Sequence, residues 1–421
     1  MLDIKIIREE TEKVRTGIKN KNEVDNLNKI LELDESRRKI IQQVEKLKAQ
    51  RNEVSAKVAH LKNSGENTEE IIKSMNEVKT MILELDDELK VIDHKLQELL
   101  LTVPNIPHSS VPIGNSPEEN KVIFESQNIP EPKFAIMPHW EIAEKLQLID
   151  FDRGSKVTGA GFPFYIGKMA MFQRALINFF LDSASVNGYT ELIPPVVVNE
   201  ASARGTGQLP DKEDLMYAVQ RDGLFLVPTA EVPVSNFHRD EILDEKKLPL
   251  KYSAYTPCFR REAGSYGKDV RGLNRLHQFD KVELVKFTLP EKSYDELELL
   301  RTDSENLLQQ LGLRYRVLLM CTGDMGFTQT KKYDLEVWSC GQKKWLEVSS
   351  CSNFEAFQSR RMNIKYRSSE TKKMEFVHTL NGSALALPRV VAALMEQYQT
   401  VTGKISIPKA IQKYLSFTEI G

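Results

Sequence analysis

Apolar residues recur with a heptad spacing over the first hundred residues of the chain. From Ile71 to Val103 they return at alternating intervals of four and three, and a similar series runs from Ile40 to Leu61 with Arg51 as its one interruption. Residues 24–103 contain no proline and are rich in Glu, Lys, Leu and Ile, which is a composition typical of long helices. The pattern therefore predicts two long helices that pack along matching apolar seams.

A short polar stretch separates the two predicted helices. Gly65 predicts the end of the first helix, and Thr68, followed by two glutamates, predicts the start of the second. Because the connection is short, the helices should form an antiparallel hairpin over about residues 28–103. A helix of about 30 residues rises roughly 45 Å, so we expect the hairpin to project as an arm.

The composition changes after the hairpin. Four of the 18 prolines lie between residues 104 and 117, where a helix cannot continue. We expect an N-terminal domain over 1–103, a linker over 104–120 and a second domain over 121–421. A helical pattern over Met169–Ser185 is accompanied by β-rich runs at residues 192–198, 224–227, 281–289, 315–319, 334–339 and 344–348. Since several runs follow one another without a helix, an α+β domain with a mainly antiparallel sheet is predicted.

The charges are balanced overall but not along the hairpin. The chain has 58 Lys and Arg against 60 Asp and Glu, a net charge of −2, which excludes a uniformly basic nucleic-acid-binding surface. Residues 35–62 hold eight basic and three acidic side chains, whereas residues 68–103 hold four and nine. Some of these opposite charges should form ion pairs between the two helices. The remaining basic side chains of the first helix could bind along a phosphate backbone. A dimerisation coiled coil or a plain spacer would show the same periodicity.

Other features place the chain among ordinary soluble proteins. Charged residues make up 28% and hydrophobic residues 41% of the sequence, and no apolar run is long enough for a signal peptide or a membrane span. We therefore expect a cytoplasmic protein. The four cysteines show no C-x-x-C spacing and are predicted to be reduced and structural; they are Cys258, Cys321, Cys340 and Cys351.

Charged residues are unusually dense between Tyr255 and Lys286, inside sequence that otherwise resembles strands. Because buried charge is costly without a partner, this density predicts a site for a polar ligand; a salt-bridged surface hairpin is the alternative. Gly264–Asp269 looks like a phosphate-binding loop but lacks the spacing of a P-loop. No G-x-G-x-x-G follows a strand, which argues against a dinucleotide-binding fold.

Phe259-Arg260-Arg261-Glu262, followed by a glycine-bearing loop, resembles motif 2 of class II aminoacyl-tRNA synthetases, in the form found in seryl-tRNA synthetases. Further segments agree in the same order: motif 1 at Gly188–Pro195, GTGQLP at Gly205–Pro210, TAE at Thr229–Glu231, EVSSCSN at Glu347–Asn353 and motif 3 at Asn381–Arg389. Ala384 and Pro388 stand where motif 3 normally has glycines. Over essentially its full length the chain resembles the seryl-tRNA synthetase family, of the bacterial type.

This resemblance implies a class II catalytic domain, with an antiparallel β-sheet flanked by helices, and an N-terminal helical arm that binds tRNA. It implies ATP-dependent activation of L-serine to seryl-adenylate and transfer of serine to the 3′ end of tRNA(Ser), and of tRNA(Sec) where that tRNA is present. ATP and Mg²⁺ are the implied cofactors. A homodimer with tRNA bound across the two subunits is also implied.

The resemblance also assigns roles to individual residues. Arg260 and Arg389 are the implied catalytic residues. ATP binding falls to Arg260, Arg261, Glu262, Arg271, Phe279, Glu347, Val348, Ser349, Ser350 and Arg389, and serine binding to Thr229, Ala230, Glu231, Arg260, Glu283 and Ser383. Glu347 and Ser350 are the implied Mg²⁺ ligands. Arg37, Arg38, Lys39 and Lys46 are expected to contact tRNA.

Three other functions compete with this interpretation. A class II paralogue that charges a carrier protein should lack or rebuild the hairpin, which is complete here. A non-catalytic tRNA-binding protein should have lost one or more of Arg260, Glu262, Glu347 and Arg389, all of which are present. A coiled-coil scaffold leaves the charge-rich motifs without a purpose.

Overall fold

The computed structural model describes residues 1–64, 67–127, 133–210, 214–262 and 271–421. The chain divides into two compact units. The first comprises Met1–Lys19 and Glu23–Pro104, and the second comprises Asn20–Asn22 and Asn105–Gly421.

The first unit contains the predicted helical hairpin. Its helices are α1 (Ile4–Glu9), α2 (Thr11–Asn20), α3 (Leu27–Asn63) and α4 (Glu69–Leu101). Thr68 is the N-cap residue of α4, as predicted. The predicted stop at Gly65 lies outside the described residues.

Helices α3 and α4 pack through the predicted seam and through opposite charges. Ile40, Val44 and Ile92 are buried between them. Nε of Arg37 donates a hydrogen bond to Oδ1 of Asp93 at 2.6 Å. The predicted pairing of a basic first helix with an acidic second helix is confirmed at this position.

The second unit is built on strands. They are β1 (Lys121–Glu125), β2 (Ile149–Asp150), β3 (Phe164–Tyr165), β4 (Thr190–Leu192), β5 (Val197–Asn199), β6 (Ala218–Val219), β7 (Leu224–Leu226), β8 (Ile242–Leu243), β9 (Leu250–Phe259), β10 (Gln278–Thr288), β11 (Tyr315–Leu319), β12 (Lys331–Ser339), β13 (Lys344–Glu355), β14 (Lys365–Arg367), β15 (Met374–Phe376), β16 (His378–Ala386), β17 (Ile405–Ser406) and β18 (Glu419–Ile420). The β-rich run predicted over 192–198 forms two separate strands, β4 and β5, because Pro194 and Pro195 between them cannot donate to a strand ladder.

Helices of the second unit are α5 (His139–Lys145), α6 (Phe151–Val157), α7 (Lys168–Val186), α8 (Glu200–Thr206), α9 (Glu231–Ser235), α10 (Ser293–Gln310), α11 (Ala356–Met362), α12 (Leu387–Gln397) and α13 (Lys409–Gln412). The helix predicted over Met169–Ser185 is α7. Pro388 lies in the first turn of α12, where its fixed φ suits a helix and its missing N–H costs nothing.

An eight-stranded sheet forms the centre of this unit, in the order β1-β11-β12-β13-β16-β10-β9-β4. Every neighbouring pair is antiparallel except β4 and β9. The helices α7, α10 and α12 pack on the sheet, and their apolar faces share one large core with it. The predicted α+β architecture is confirmed.

Two further features concern the cysteines and the apolar character of the helices. All four cysteines lie in described parts of the chain, are buried and remain thiols. Among the described residues, no helix is both long and apolar enough to cross a membrane.

Candidate functional site

A cavity of about 420 Å³ lies against the central strands of the large sheet. Its walls come from β10, β13, β16, the residues after β7 and the residues after β9. Its lining includes most of the residues that the sequence singled out: Thr229, Glu231, Arg260, Glu262, Phe279, Glu283, Glu347, Val348, Ser349, Ser350, Ser383 and Arg389.

Strand β10 supplies one wall through its two-residue period. Phe279, Lys281 and Glu283 are alternate residues and therefore lie on the same face of the sheet. Glu283 is directly opposite Ser383 in the pairing of β10 with β16. The register of these two strands thus brings two of the predicted serine-binding residues together.

An irregularity in β13 accounts for the position of the predicted metal ligands. Leu335 of β12 pairs with Ser349, but the next residue, Glu336, pairs with Glu347, so β13 carries one extra residue at Val348. Residues three apart in a regular strand point to opposite faces, and one extra residue removes that difference. Glu347 and Ser350 therefore both line the cavity.

Two carboxylates, Glu231 and Glu283, line the cavity. Thr229 Oγ1 donates to Glu283 Oε2 at 3.1 Å, and Gln358 Nε2 donates to Glu231 Oε1 at 2.7 Å. Lys281 forms an ion pair with Glu283. Burial, together with the negative charge of Glu283, raises the pKa of Glu231 to about 7.

Two arginines bring positive charge to the cavity. Arg260 Nε donates to the Pro228 carbonyl oxygen at 3.3 Å, and its guanidinium lies over the Phe279 ring, 5.2 Å from the ring centre. Arg389 Nε donates to the Asn274 carbonyl oxygen at 3.0 Å, and its Nη1 donates to the Glu347 carbonyl oxygen at 2.9 Å. Backbone acceptors on neighbouring segments thus orient both guanidinium groups.

The carboxyl of Glu347 is surrounded by cations. Its partial removal from water opposes ionisation, but the charges of Lys332, Arg389 and Arg260 outweigh this and lower the pKa of Glu347. Lys332 Nζ also pairs with Asp334 at 3.1 Å. The cavity wall therefore offers an ionised carboxylate beside positive charge at Glu347.

The hard oxygen donors of Glu347 and Ser350 are of the kind that Mg²⁺ prefers. Among the described residues, no group of three or more His, Cys, Asp and Glu is arranged to hold a metal. A magnesium ion at Glu347 and Ser350 would need further oxygens from water and from a bound ligand.

Three of the predicted serine and ATP residues do not line the cavity. Arg261 forms an ion pair with Asp214 at 3.2 Å. The guanidinium of Arg271 lies over the Trp140 ring, 4.9 Å from its centre. Ala230 is fully buried. Gly264–Asp269, which resembles a phosphate-binding loop, falls outside the described residues.

The cavity also contains residues that the sequence did not assign to it: Gln208, Asn274, Lys281, Lys332 and Asn381. Gln208 and Asn381 stand inside the recognised motifs, so the motifs themselves could have indicated them. Lys281 precedes Glu283 by two residues, and strand periodicity could have placed both on one face. Lys332 reaches the cavity from a neighbouring strand, which only the sheet register reveals.

The predicted tRNA-binding residues all lie on α3. Arg37 pairs with Asp93 of α4, Arg38 pairs with Asp34 at 3.0 Å, and Lys39 pairs with Glu35 at 2.6 Å. Lys46 is exposed. Three of these four charges therefore already have an acidic neighbour on the arm.

Two family profiles match the chain. The profile described as "Seryl-tRNA synthetase N-terminal domain" covers residues 1–107. The profile described as "tRNA synthetase class II core domain (G, H, P, S and T)" covers residues 217–398.

Individual relatives match over the full length. A serine–tRNA ligase from Salinibacter ruber is 52% identical over 425 residues, covering 100% of this chain and 99% of that protein. One from Geobacter sulfurreducens is 51% identical, with 99% and 98% covered. The crystal structure of seryl-tRNA synthetase from Pyrococcus horikoshii complexed with ATP is 36% identical and superposes with a TM-score of 0.94, covering 100% of this chain and 99% of that one.

Proposed function

This chain belongs to the seryl-tRNA synthetase family, and from that premise we propose that it activates L-serine with ATP and transfers it to the 3′ end of tRNA(Ser), and of tRNA(Sec) where present. The observation that carries the proposal is a cavity lined both by the carboxylates Glu231 and Glu283 and by Arg260, Arg389 and Glu347. Purified protein should attach radiolabelled serine to purified tRNA(Ser) in the presence of ATP. Absence of charging with an intact tRNA would contradict the proposal.

The first step requires alignment rather than proton abstraction. The carboxylate of serine is already ionised at neutral pH, so it attacks the α-phosphorus of ATP directly and pyrophosphate leaves. We assign Arg260 to hold the serine carboxylate beside the α-phosphate, because its planar fork of donors can bind both anions at once. A 3′-terminal ribose hydroxyl of the tRNA then attacks the carbonyl of seryl-adenylate, and AMP leaves.

The rest of ATP is assigned to the surrounding residues. We assign Arg389 to neutralise the γ-phosphate end; two backbone carbonyls fix its guanidinium, which is the preorganisation that this role needs. Glu262 faces the adenylate, although it is paired with Arg275 at 2.7 Å in this structure. Phe279 stacks on adenine. Because the Arg260 guanidinium covers one face of the Phe279 ring, adenine uses the opposite face or displaces Arg260.

Mg²⁺ is the proposed metal cofactor. When bound, it neutralises phosphate charge and helps to orient the leaving pyrophosphate. Glu347 and Ser350 would hold it, because they bring a carboxylate and a hydroxyl to the cavity wall. The cations around Glu347 keep this carboxylate ionised and ready to bind a metal.

Serine is recognised by its ammonium and hydroxyl groups. Glu231 and Glu283 receive these groups, and Thr229 and Ser383 complete the pocket. Alanine lacks the hydroxyl and would leave its buried partners unsatisfied, at a cost of about 1–3 kcal/mol for each group. Threonine must be excluded by the shape of the pocket.

The raised pKa of Glu231 predicts a pH dependence of serine binding. Below about pH 7 this carboxyl is protonated and loses its attraction for the serine ammonium. The KM for serine should therefore rise as the pH falls from 8 to 6, approaching about tenfold for each pH unit below the pKa. Glu231→Gln should raise the KM at pH 8 and remove most of the slope. The measurement is serine-dependent pyrophosphate exchange from pH 6 to 8.

The free energy of unfolding should change with pH in the opposite direction to serine binding, because Glu231 becomes a buried charge as the pH rises. Its pKa in the folded chain lies above the ordinary value, so the folded state binds this proton more tightly than the unfolded state does. Without serine, ionisation of Glu231 as the pH rises from about 4.5 to 7 should lower the free energy of unfolding.

Identical pH profiles of the KM for serine in the wild type and the Gln variant would contradict the role of Glu231 in serine binding.

We also propose a homodimer with tRNA bound across the two subunits. Apolar side chains are exposed around β4, β5 and the end of α7: Val186 is 86% and Ile193 is 93% exposed. Apolar patches of this kind mark interfaces. Ile193→Asp should shift the protein from dimer to monomer in sedimentation equilibrium, whereas Val401→Asp, at an exposed position elsewhere, should leave the dimer intact. A dimer of unchanged affinity in the Ile193 variant would contradict this interface.

The proposed function also assigns roles to the segments of the chain and a place in the cell. Residues 1–103 form the tRNA-binding domain, 104–120 the linker and 121–421 the catalytic domain. The protein works in the cytoplasm, because the charged tRNA is used there by the ribosome.

A further inference from the structure

A buried histidine outside the predicted site is connected to the wall of the cavity. His139 begins α5, and Glu396 lies near the end of α12; both side chains are fully buried. His139 Nδ1 is 3.0 Å from Glu396 Oε1. On the other side of the ring, the backbone N–H of Leu273 donates to His139 Nε2 at 2.9 Å.

These contacts assign a role to each ring nitrogen of His139. A backbone N–H can only donate, so Nε2 accepts, and Nδ1 carries the proton that faces the Glu396 carboxylate. The ring therefore links the backbone of Leu273 to a buried carboxylate. Glu396 in turn accepts from the backbone N–H of Gly341 at 3.0 Å and from the Ser339 hydroxyl, so the acceptor end of the link is itself held in place.

The segment that His139 holds is part of the proposed ATP site. Leu273, Asn274, Arg275 and Leu276 all line the cavity. A Cβ atom placed on Gly272 would lie 2.3 Å from His139 Nε2. The chain thus passes so close to the histidine ring that only glycine fits at position 272.

A second connection runs in parallel through side chains. Gln342 Nε2 donates to Glu396 Oε1 at 3.3 Å, and Asn274 Nδ2 donates to Gln342 Oε1 at 2.8 Å. The Asn274 carbonyl oxygen accepts from Arg389, which stands on the same helix as Glu396. Helix α12 therefore holds residues 273–274 directly through Arg389 and indirectly through Glu396.

We propose that His139 is a positioning residue for ATP: its bond to Leu273, together with its bond to Glu396, fixes residues 273–276 in the conformation that receives the nucleotide. The inference rests on the proposed function. It predicts that loss of the bond to Leu273 weakens ATP binding in particular, because the side chains assigned to serine (Thr229, Glu231, Glu283 and Ser383) lie outside residues 273–276.

Two substitutions separate the two bonds of His139. In His139→Asn, the side-chain amide stands near the position of Nδ1 and can still donate to Glu396, but nothing reaches Leu273. In His139→Gln, the longer amide can place an acceptor near the position of Nε2. In serine-dependent pyrophosphate exchange, His139→Asn should raise the KM for ATP about tenfold, the factor that corresponds to about 1.4 kcal/mol, with the KM for serine unchanged. His139→Gln should restore much of the affinity for ATP.

A binding measurement without turnover provides the second readout. A non-hydrolysable ATP analogue should raise the melting temperature of the wild type and of His139→Gln, but hardly that of His139→Asn at the same concentration. His378→Asn is the matched control: His378 is also largely buried, bonds to Ser293 through Nδ1 at 2.9 Å and does not line the cavity. This control should keep the wild-type KM for ATP.

The outcomes distinguish this inference from the proposed function. Absence of exchange in the wild type would contradict the proposed function. An active wild type and a folded His139→Asn variant with an unchanged KM for ATP would overturn the role of His139. If His139→Asn does not fold, Gln342→Ala removes the amide that contacts His139 Nδ1, Glu396 and Asn274 and should raise the KM for ATP at least about threefold, as expected for the loss of one hydrogen bond or more. An unchanged KM in that variant would overturn the inference.

Discussion

Replacement of Arg260 by alanine should abolish serine-dependent exchange of pyrophosphate into ATP while leaving the fold intact. The guanidinium lines the cavity and is the group assigned to bind the serine carboxylate and the α-phosphate together. Removal of one preorganised donor that stabilises developing charge typically lowers kcat by about 10²–10³. Because Arg260 is charged and is assigned to bind two anions, its loss should lower kcat by at least that factor. The measurement is the exchange rate at saturating serine and ATP.

A matched arginine outside the cavity provides the control. Arg316 pairs with Glu336 on the neighbouring strand at 2.5 Å and does not line the cavity. Arg316→Ala should keep exchange within about twofold of the wild type, since the Arg316 guanidinium contacts Glu336 and the Trp345 ring rather than a residue assigned to serine or ATP. Near-wild-type exchange in a folded Arg260→Ala protein would contradict the assigned mechanism.

Shortening the helical arm should separate the two steps of the reaction. We expect a protein in which a short glycine-serine loop replaces residues 45–84 to form seryl-adenylate normally but to lose at least about 100-fold in charging of tRNA(Ser). The deletion removes exposed Lys46 and other cations of the first helix, and phosphate contacts supply much of the affinity of proteins for nucleic acids. Exchange without tRNA and charging with tRNA are measured on the same preparation.

The base of the hairpin guides the position of this deletion. Ile40, Val44 and Ile92 remain buried against each other, and the pair between Arg37 and Asp93 is kept, so the two helices should still pack. An unchanged melting temperature of the second unit is the control for folding. Normal charging by the shortened protein would mean that the arm is only a spacer.

Local periodicity was sufficient to predict the arm and much of the sheet. A heptad pattern depends only on neighbouring turns of the same helix, so α3 and α4 follow directly from the spacing of apolar residues. The strand at Tyr315–Leu319 has the predicted bounds. The run at 192–198 has the apolar composition of one strand, but Pro194 and Pro195 divide it into β4 and β5.

The sequence motifs predicted most of the residues that line the cavity, but not the strand register and hydrogen bonds that position them. The extra residue in β13 that brings Glu347 and Ser350 to one side depends on the register with β12, which no local pattern encodes. The link from Leu273 through His139 to Glu396 joins residues separated by more than a hundred positions. Such contacts exist only after the sheet and its helices have packed.

Exchange of labelled pyrophosphate into ATP by the full chain, without tRNA, directly measures whether this protein activates serine. Serine, threonine and alanine are compared at equal concentrations. We predict exchange that depends on serine, with kcat/KM for threonine and alanine lower by at least about 100-fold, as expected when a pocket recognises a hydroxyl and excludes an added methyl group. Absence of serine-dependent exchange would contradict the activation of serine by this protein, and equal exchange with alanine would contradict recognition of the serine hydroxyl.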